Sequence, residues 1–194
     1  MSLAIQSIGV FCGVSSGEKE SYSHKTRALA SLFCGAGIRV IFGGASVGLM
    51  DVLAQEMVLH QGKIIGVMPE ALLEIRTHLP LSSFHVVQSM GERKALVDSL
   101  SDAFLMLPGG VGSLDEYFDM LAMSQVGYHT KPCIIYNMDG YYNDLLRFLN
   151  FAKEQGFVSE ATDNKIIVVE DLESLCDALG VTDHRHDKHE CMER

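Results

Sequence analysis

The sequence of 194 residues has few of the features that assign a function at first sight. Its five cysteines are odd in number and never closer than 15 residues apart, so they form no zinc-knuckle or redox pair and are typical of a reducing cytoplasm. Lysine and arginine total 15 against 25 acidic residues, and the net charge of −10 argues against nucleic acid or an anionic membrane as partner. No apolar run reaches the length of a membrane span. We therefore expect a cytoplasmic protein whose ligand is held locally, by loops and a few basic residues.

Two common nucleotide-binding motifs are also absent. The loop after the first apolar run reads Gly13-Val-Ser-Ser-Gly17, which is not the G-x-G-x-x-G of a dinucleotide site. The second run ends at Gly43-Gly44, where such a site needs an acidic residue. There is no G-K-[ST] of a Walker-type NTPase. These absences argue against NAD and against NTP hydrolysis, and they leave a mononucleotide open.

Short apolar runs rich in β-branched residues alternate with segments of helical periodicity. The runs cover residues 5–12, 38–42, 63–68, 84–88, 103–107, 133–137 and 166–169. The alternation predicts an α/β fold with a Rossmann-like, doubly wound, mainly parallel sheet of about seven strands flanked by helices. Ligands bind beyond the carboxyl ends of such strands. The candidate binding loops are therefore residues 13–17, 43–48, 90–94 and 108–113.

The two chain ends differ in character. The first residues have no basic start before their apolar run, so we expect residues 5–12 to form a strand and not a signal peptide. We expect residues 1–181 to form a single domain and residues 182–194 to be a disordered tail. The tail holds three of the eight histidines and Cys191, which leaves a transition-metal site open. No spacing there matches a known metal motif, and we expect no metal.

The most informative stretch runs from residue 103 to residue 116. An apolar run ends in Pro108-Gly-Gly-Val-Gly112, and its glycines let backbone N–H groups approach a ligand without Cβ obstruction. A helix is predicted to open at Ser113, and the N–H groups at a helix N-terminus favour a phosphate or another anion. Ser113 and Glu116 also have the spacing of a capping box. Glu116 is therefore either a structural cap or a carboxylate beside a phosphate site.

A second glycine-rich turn supports the ligand interpretation. Gly43-Gly-Ala-Ser-Val-Gly48 also joins a predicted strand to a helix, and Ser46 is placed to cap that helix. The same turn matches the G-x-S-x-G nucleophile elbow, which keeps open a serine hydrolase with Ser46 as nucleophile. The basic pair Arg93-Lys94 stands out in an otherwise acidic chain. Together these features indicate a site for a negatively charged ligand.

The motifs resemble those of one family. Pro108-Gly-Gly-Val-Gly-Ser-Leu-Asp-Glu116 resembles the P-G-G-x-G-T-x-x-E motif of the Lonely Guy (LOG) family of cytokinin riboside 5′-monophosphate phosphoribohydrolases. Met90-Gly-Glu-Arg-Lys94 resembles the family's M-x-x-R-K motif. Ser113 stands for the usual threonine and keeps its hydroxyl. The resemblance covers nearly the whole chain to about residue 179 and includes residues 10–17, 43–50, 131–132 and 139–142.

The resemblance implies a nucleotide-monophosphate-binding domain, a homodimer, and hydrolysis of the N-glycosidic bond of an adenosine 5′-monophosphate derivative to free base and ribose 5-phosphate. The family's catalytic pair falls on Arg93 and Glu116. No cofactor is implied: some members have been labelled lysine decarboxylases, but no lysine here has a recognisable pyridoxal phosphate context. The residues expected to bind phosphate or substrate are Gly13, Ser15, Gly44, Ser46, Met90, Lys94, Gly109, Gly110, Gly112 and Ser113.

Several alternatives stay open on the sequence. The base is a prenylated adenine, plain adenine or another base, because the phosphate and ribose motifs would be the same for each. A non-catalytic nucleotide-binding or carrier protein would keep the phosphate loops but would not need Arg93 and Glu116 together. Met106, Met120 and Met123 fit either the core or a dimer interface.

Overall fold

The computed structural model describes residues 5–182, and these residues share one seven-stranded sheet. The strands are β1 Ser7–Phe11, β2 Arg39–Phe42, β3 Ile64–Pro69, β4 Ser83–Val87, β5 Ala103–Met106, β6 Cys133–Tyr136 and β7 Ile166–Val169. All neighbouring strands pair in parallel, in the order β4-β3-β2-β1-β5-β6-β7. The predicted α/β fold and its seven strands are confirmed.

Helices connect the strands and cover both faces of the sheet. They are α1 Glu20–Gly35, α2 Gly48–Leu59, α3 Met90–Leu100, α4 Val111–Gln125, α5 Asn143–Glu154, α6 Glu160–Asp163 and α7 Leu172–Leu179, with 3-10 helices at Glu70–Ile75 and Met138–Gly140. On one face Leu29 of α1 and Leu53 of α2 are fully buried, each contributing about 2 kcal/mol of transfer free energy. On the other face Tyr117 and Met120 of α4 pack with Met106 of β5. These two methionines are therefore core residues.

The sheet changes its winding direction between β1 and β5. β1 pairs with β2 on one side and with β5 on the other, and the chain reaches β5 from the edge strand β4 through α3. The loops after β1 and β5 lead to helices on opposite faces and leave a crevice at the carboxyl edge of the sheet. The Gly13 N–H donates to the Pro108 carbonyl at 3.0 Å, which ties the two loops together.

The helix that follows β5 begins earlier than the sequence predicts. Gly110 is the N-cap of α4 and Val111 its first residue, whereas the predicted start is Ser113. Ser113 therefore lies inside the first turn, and the predicted capping box with Glu116 is wrong. A glycine N-cap has no side-chain oxygen, so the first-turn N–H groups have no side-chain cap and Glu116 has a different partner.

Two other helix starts also differ from the prediction. α2 begins at Gly48 with Val47 as its N-cap, so the predicted capping by Ser46 is wrong. Residues 90–94 are the first turn of α3, not a loop, and Ser89 Oγ caps that turn by accepting from the Glu92 N–H at 3.2 Å. Arg93 and Lys94 therefore lie on α3, the helix that connects the edge strand β4 to the inner strand β5.

The histidine-rich end of the chain, residues 183–194 of the predicted tail, lies outside the described residues, and so does the metal site that it kept open. Within residues 5–182 no cluster of three or more histidine, cysteine, aspartate or glutamate side chains has the geometry of a metal site. The same part of the chain contains no helix both long enough and apolar enough to cross a membrane.

Candidate active site

A buried ion pair joins α3 to α4 at the carboxyl edge of the sheet. Arg93 Nη2 lies 2.5 Å from Glu116 Oε1, and the two side chains are only 12% and 11% exposed. An ion pair this close and this poorly solvated interacts more strongly than one at the surface. Desolvating two charges is costly, so a buried pair is weak evidence for a stabilising role. Its position at the carboxyl edge of the sheet, where ligands bind in this architecture, makes it a candidate functional group.

The Arg93 guanidinium is closely surrounded by Gly43 and Met90. A Cβ on Gly43, at the end of β2, would lie 2.9 Å from Arg93 Nη2, so a larger residue there would displace the guanidinium. Met90 Sδ accepts a weak hydrogen bond from Arg93 Nη1 at 3.7 Å. Among the described residues, Arg93 Nε is buried and has no hydrogen-bond partner. Such an unsatisfied donor is unusual in a purely structural ion pair.

Burial raises the pKa of Glu116, and the adjacent Arg93 guanidinium opposes that effect only in part. Burial, and then the nearby Glu116 carboxylate, also raise the pKa of the Cys12 thiol at the end of β1. Cys12 is therefore a neutral neighbour of the pair. A carboxylate with a raised pKa accepts a proton more readily than an ordinary one, which suits Glu116 to general base catalysis.

The N-terminus of α4 opens beside this pair. The first hydrogen bond within the helix runs from the Leu114 N–H to the Gly110 carbonyl, at 3.1 Å. The N–H groups of Val111, Gly112 and Ser113 precede it and have no acceptor inside the helix. With the partial positive charge of the helix end, they form a site that favours an anion.

A cavity of about 310 Å³ lies between the loops after β1 and β5. Gly13, Ser15, Gly109 and Gly110 from the predicted set line it together. A Cβ on Gly109 would collide with Ser113 Oγ, so this position requires glycine. Ser113 is buried beneath the loop. The structure thus brings the loop after β1 together with residues 107–110 after β5, which we call the phosphate loop after its predicted ligand.

The second glycine-rich turn makes its contacts with the protein itself. Ser46 Oγ donates to Asp51 Oδ1 at 3.0 Å. The Leu49 N–H, in the first turn of α2, donates to the Gly13 carbonyl at 3.1 Å. Neither Gly44 nor Ser46 lines the cavity. Their expected phosphate contacts stay a prediction, and in the structure the turn holds the β1 loop.

A serine nucleophile would need a histidine base within hydrogen-bond reach. Within residues 5–182, the hydrogen bond of the Ser46 hydroxyl goes to the carboxylate of Asp51, and none joins it to a histidine. The match to the nucleophile elbow is therefore a match of sequence without the matching catalytic geometry.

Lys94 pairs with carboxylates and does not line the cavity. Its Nζ lies 2.9 Å from Asp115 Oδ1 and 3.7 Å from Asp119 Oδ2, both on α4. Burial lowers the pKa of Lys94, but these carboxylates outweigh it, and the net shift is upward. Lys94 therefore links α3 to α4, and its expected contact with a phosphate stays a prediction.

Sequence reasoning missed two tyrosines that contact the phosphate loop. Tyr141 OH donates to the Gly109 carbonyl at 2.8 Å, and Tyr142 OH donates to the Leu107 carbonyl at 2.7 Å. Both follow β6, the neighbour of β5 in the sheet. The signal that points to them is the Asp139-Gly140 turn at the carboxyl end of that strand, the edge where ligands bind in this architecture.

Comparison with known proteins assigns the chain to a family. Residues 50–179 match the family model described as "Possible lysine decarboxylase". The chain is 38% identical over 176 residues to a cytokinin riboside 5′-monophosphate phosphoribohydrolase of Rhodococcoides fascians, covering 90% of this chain and 89% of that protein. It is 37% identical over 183 residues to the enzyme of that name, LOG1, of Arabidopsis thaliana, covering 93% and 85%.

A solved structure shares the fold at lower identity. The molybdenum cofactor binding protein from Rippkaea orientalis superposes with a TM-score of 0.69 and 21% identity, over 92% of this chain and 98% of that one. The sequence matches, in contrast, extend over both motif regions at identities that establish common descent. The chain belongs to the LOG family of cytokinin riboside 5′-monophosphate phosphoribohydrolases.

Proposed function

We propose that this protein hydrolyses the N-glycosidic bond of a nucleoside 5′-monophosphate and releases the free base and ribose 5-phosphate. The observation that carries the proposal is the buried Arg93–Glu116 pair beside the open N-terminus of α4. The names of the relatives from R. fascians and A. thaliana support the same reaction. A carrier protein would need the anion site but would have no use for a buried carboxylate paired with arginine.

In this proposal the 5′-phosphate binds at the N-terminus of α4. The N–H groups of Gly110, Gly112 and Ser113 supply donors, and the helix end supplies partial positive charge. Gly13 and Ser15 form the opposite wall of the crevice. Binding energy from the phosphate, which does not react, positions the ribose. A nucleoside without the phosphate should therefore react poorly.

Glu116 acts on the anomeric carbon. Cleavage of a ribosyl bond builds positive charge at that carbon, and a nearby carboxylate stabilises it. Glu116 also orients a water molecule and accepts its proton as the water oxygen bonds to the carbon. The electron pair of the C–N bond leaves with the base, which takes up one proton from solvent, and Glu116 then returns its proton to solvent. The raised pKa of Glu116 favours proton acceptance but also requires a pH high enough to keep the carboxyl ionised.

Arg93 keeps the Glu116 carboxylate charged and aligned. The guanidinium is protonated at any pH of interest and presents a fixed fork of donors. The ion pair engages Glu116 Oε1, which leaves the other carboxylate oxygen for water or the ribose. Met90 is 42% exposed and its sulfur contacts the guanidinium, so in this proposal it contacts the base or the ribose.

Base release from AMP and from N6-isopentenyladenosine monophosphate, each beside its nucleoside, tests the proposal. We expect release from the monophosphates only, and the ratio between them decides between a cytokinin precursor and a general nucleotide as substrate. Glu116→Gln should abolish release while the protein still binds AMP. Glu173→Gln, on the exposed first turn of α7, is the matched control. Full activity of the Glu116 variant would remove this residue from the mechanism.

We also propose that the protein is a cytoplasmic homodimer. The family resemblance supports the dimer, and exposed apolar side chains such as Phe148 and Phe151 of α5 offer surface for one. Within residues 5–182 no disulfide is formed, which suits a reducing compartment. Light scattering after size-exclusion chromatography measures the mass directly, and a monomer at micromolar concentration would contradict the dimer.

A further inference from the structure

Three consecutive carbonyl groups of the phosphate loop are held by hydrogen bonds from outside the loop. The Leu107 carbonyl accepts from Tyr142 OH at 2.7 Å, and the Gly109 carbonyl accepts from Tyr141 OH at 2.8 Å. Between them the Pro108 carbonyl accepts from the Gly13 N–H at 3.0 Å. The peptide planes at the entrance to α4 are therefore set by other parts of the protein.

Of the three bonds, the one to Gly109 controls the least constrained peptide. Gly109 and Gly110 both lack a Cβ, so the peptide unit between them can rotate at little steric cost. One planar trans unit carries the Gly109 carbonyl and the Gly110 N–H. Fixing the carbonyl therefore fixes the direction of the N–H.

We infer that Tyr141 is a positioning residue for the substrate phosphate, because its hydroxyl holds the Gly109–Gly110 peptide with the Gly110 N–H in the orientation that binds the anion. The inference rests on the proposed function, since it takes the anion to be the 5′-phosphate of the substrate. Tyr141 also lines the cavity, but in this inference it is a positioning residue, because its effect on the phosphate passes through the backbone.

The position of Tyr141 is itself fixed by contacts with α1. Asp139, in the turn just before it, has a positive φ of 53°, a conformation that non-glycine residues seldom adopt. Its carboxylate accepts from Ser21 Oγ and from Lys25 Nζ, both at 2.6 Å. The Tyr141 ring packs edge-on against Tyr22 of α1, with ring centroids 5.8 Å apart. The ion pair of Asp139 and the ring contact of Tyr141, both with α1, therefore fix the position of the Tyr141 hydroxyl beside the Gly109 carbonyl.

The test separates binding of the phosphate from chemistry. In a Glu116→Gln background, which keeps the ligand intact, calorimetry gives the affinity for AMP and for adenosine. We expect Tyr141→Phe to weaken AMP binding by about fivefold, the equivalent of one hydrogen bond, and to leave adenosine binding unchanged. Tyr128→Phe, at an exposed tyrosine beyond the far end of α4, is the matched control. With Glu116 restored, Tyr141→Phe should raise the KM for AMP and leave kcat within about twofold.

Three results would overturn the inference: unchanged AMP affinity in Tyr141→Phe, an equal loss for AMP and adenosine, or no AMP binding by the Glu116→Gln parent. An equal loss would mean that Tyr141 contacts the nucleoside. If the wild-type protein binds AMP but releases no base, the proposed function fails while the binding comparison still tests the inference. Asp139→Gly keeps the left-handed turn and removes the anchor to α1, so it should show a smaller loss of the same kind should Tyr141→Phe fail to fold.

Discussion

Lys94 and Asp115 form an ion pair directly beside the pair of Arg93 and Glu116, with 2.9 Å between Lys94 Nζ and Asp115 Oδ1. Two consecutive residues of α3 thus contact two consecutive residues of α4. The inner pair, Arg93–Glu116, is nearly inaccessible to solvent. In the outer pair, Lys94–Asp115, the aspartate is 54% exposed, so solvent screens the interaction. The outer pair therefore adds little stability. Its effect at the site is electrostatic, because Asp115 raises and Lys94 lowers the pKa of Glu116.

Neutralising either member of the outer pair should shift the pH dependence of activity, in opposite directions. Glu116 must be ionised to act, so kcat/KM falls as the pH falls through its pKa. Lys94→Met removes a charge that lowers this pKa, and the acid limb should move to higher pH. Asp115→Asn removes a charge that raises it, and the limb should move to lower pH. Shifts in the same direction would show that the pair acts by holding the helices together instead.

Replacing Arg93 should shift the pH dependence of kcat/KM in the same direction as Lys94→Met, and by more. Arg93 is the chief group that opposes the burial of the Glu116 carboxylate, so Arg93→Gln should move the acid limb of kcat/KM to higher pH. We also expect kcat to fall by about 10²-fold, because the Glu116 carboxylate loses the partner that aligns it and a small misplacement of a reacting group can cost about that much. Arg93→Lys restores the charge without the planar fork, so it should recover the pH profile better than the rate. An unchanged profile in Arg93→Gln would argue that another group titrates.

The need for glycine at position 43 follows from its contact with Arg93. A Cβ there would lie 2.9 Å from both Arg93 Nη2 and Met50 Sδ, so the guanidinium would have to shift from its position beside Glu116. A displacement of about 1 Å at a reacting group can cost about 10²-fold in rate, and we expect a loss of that order for Gly43→Ala with the fold retained. Gly35→Ala is the control: it lies at the end of α1 with nothing within 4 Å of the new methyl group. That variant should keep its activity and match or exceed the wild-type free energy of unfolding.

The sequence predicts this site better in its backbone than in its side-chain pairing. The strands can be predicted because buried parallel strands are short, continuous runs of apolar, β-branched residues, and the helices between them have hydrophobic periodicity. Glycines mark the loops at the carboxyl ends of the strands. The pairing of Glu116 with Arg93 is implied by the family resemblance and not by the local pattern of residues. The spacing of Glu116 from Ser113 suggests a local cap, but the helix begins earlier, with Gly110 as its N-cap. The ion-pair partner of Glu116 is Arg93, which lies on a different helix, α3. Local spacing carries no information on such a long-range contact.

The same limit explains why Ser46 looks like a functional residue in sequence and not in structure. The G-x-S-x-G spacing describes a turn between strand and helix, which the chain does form, but the triad around a nucleophile comes from distant segments. Where a base would be needed, Ser46 Oγ donates to Asp51. What distinguishes a nucleophile from a residue of the turn is the effect of removing the hydroxyl.

We therefore expect Ser46→Ala to release base from the monophosphate at close to the wild-type rate. The side chain is exposed and loses one hydrogen bond, so the free energy of unfolding should change by no more than about 0.5 kcal/mol. Ser113→Ala is the informative comparison, because Ser113 is only 5% exposed and packs beneath Gly109 in the phosphate loop. It should raise the KM for the monophosphate. Loss of activity in Ser46→Ala with Ser113→Ala unaffected would reverse the assignment, since it would transfer the chemistry from the carboxylate of α4 to the turn before α2.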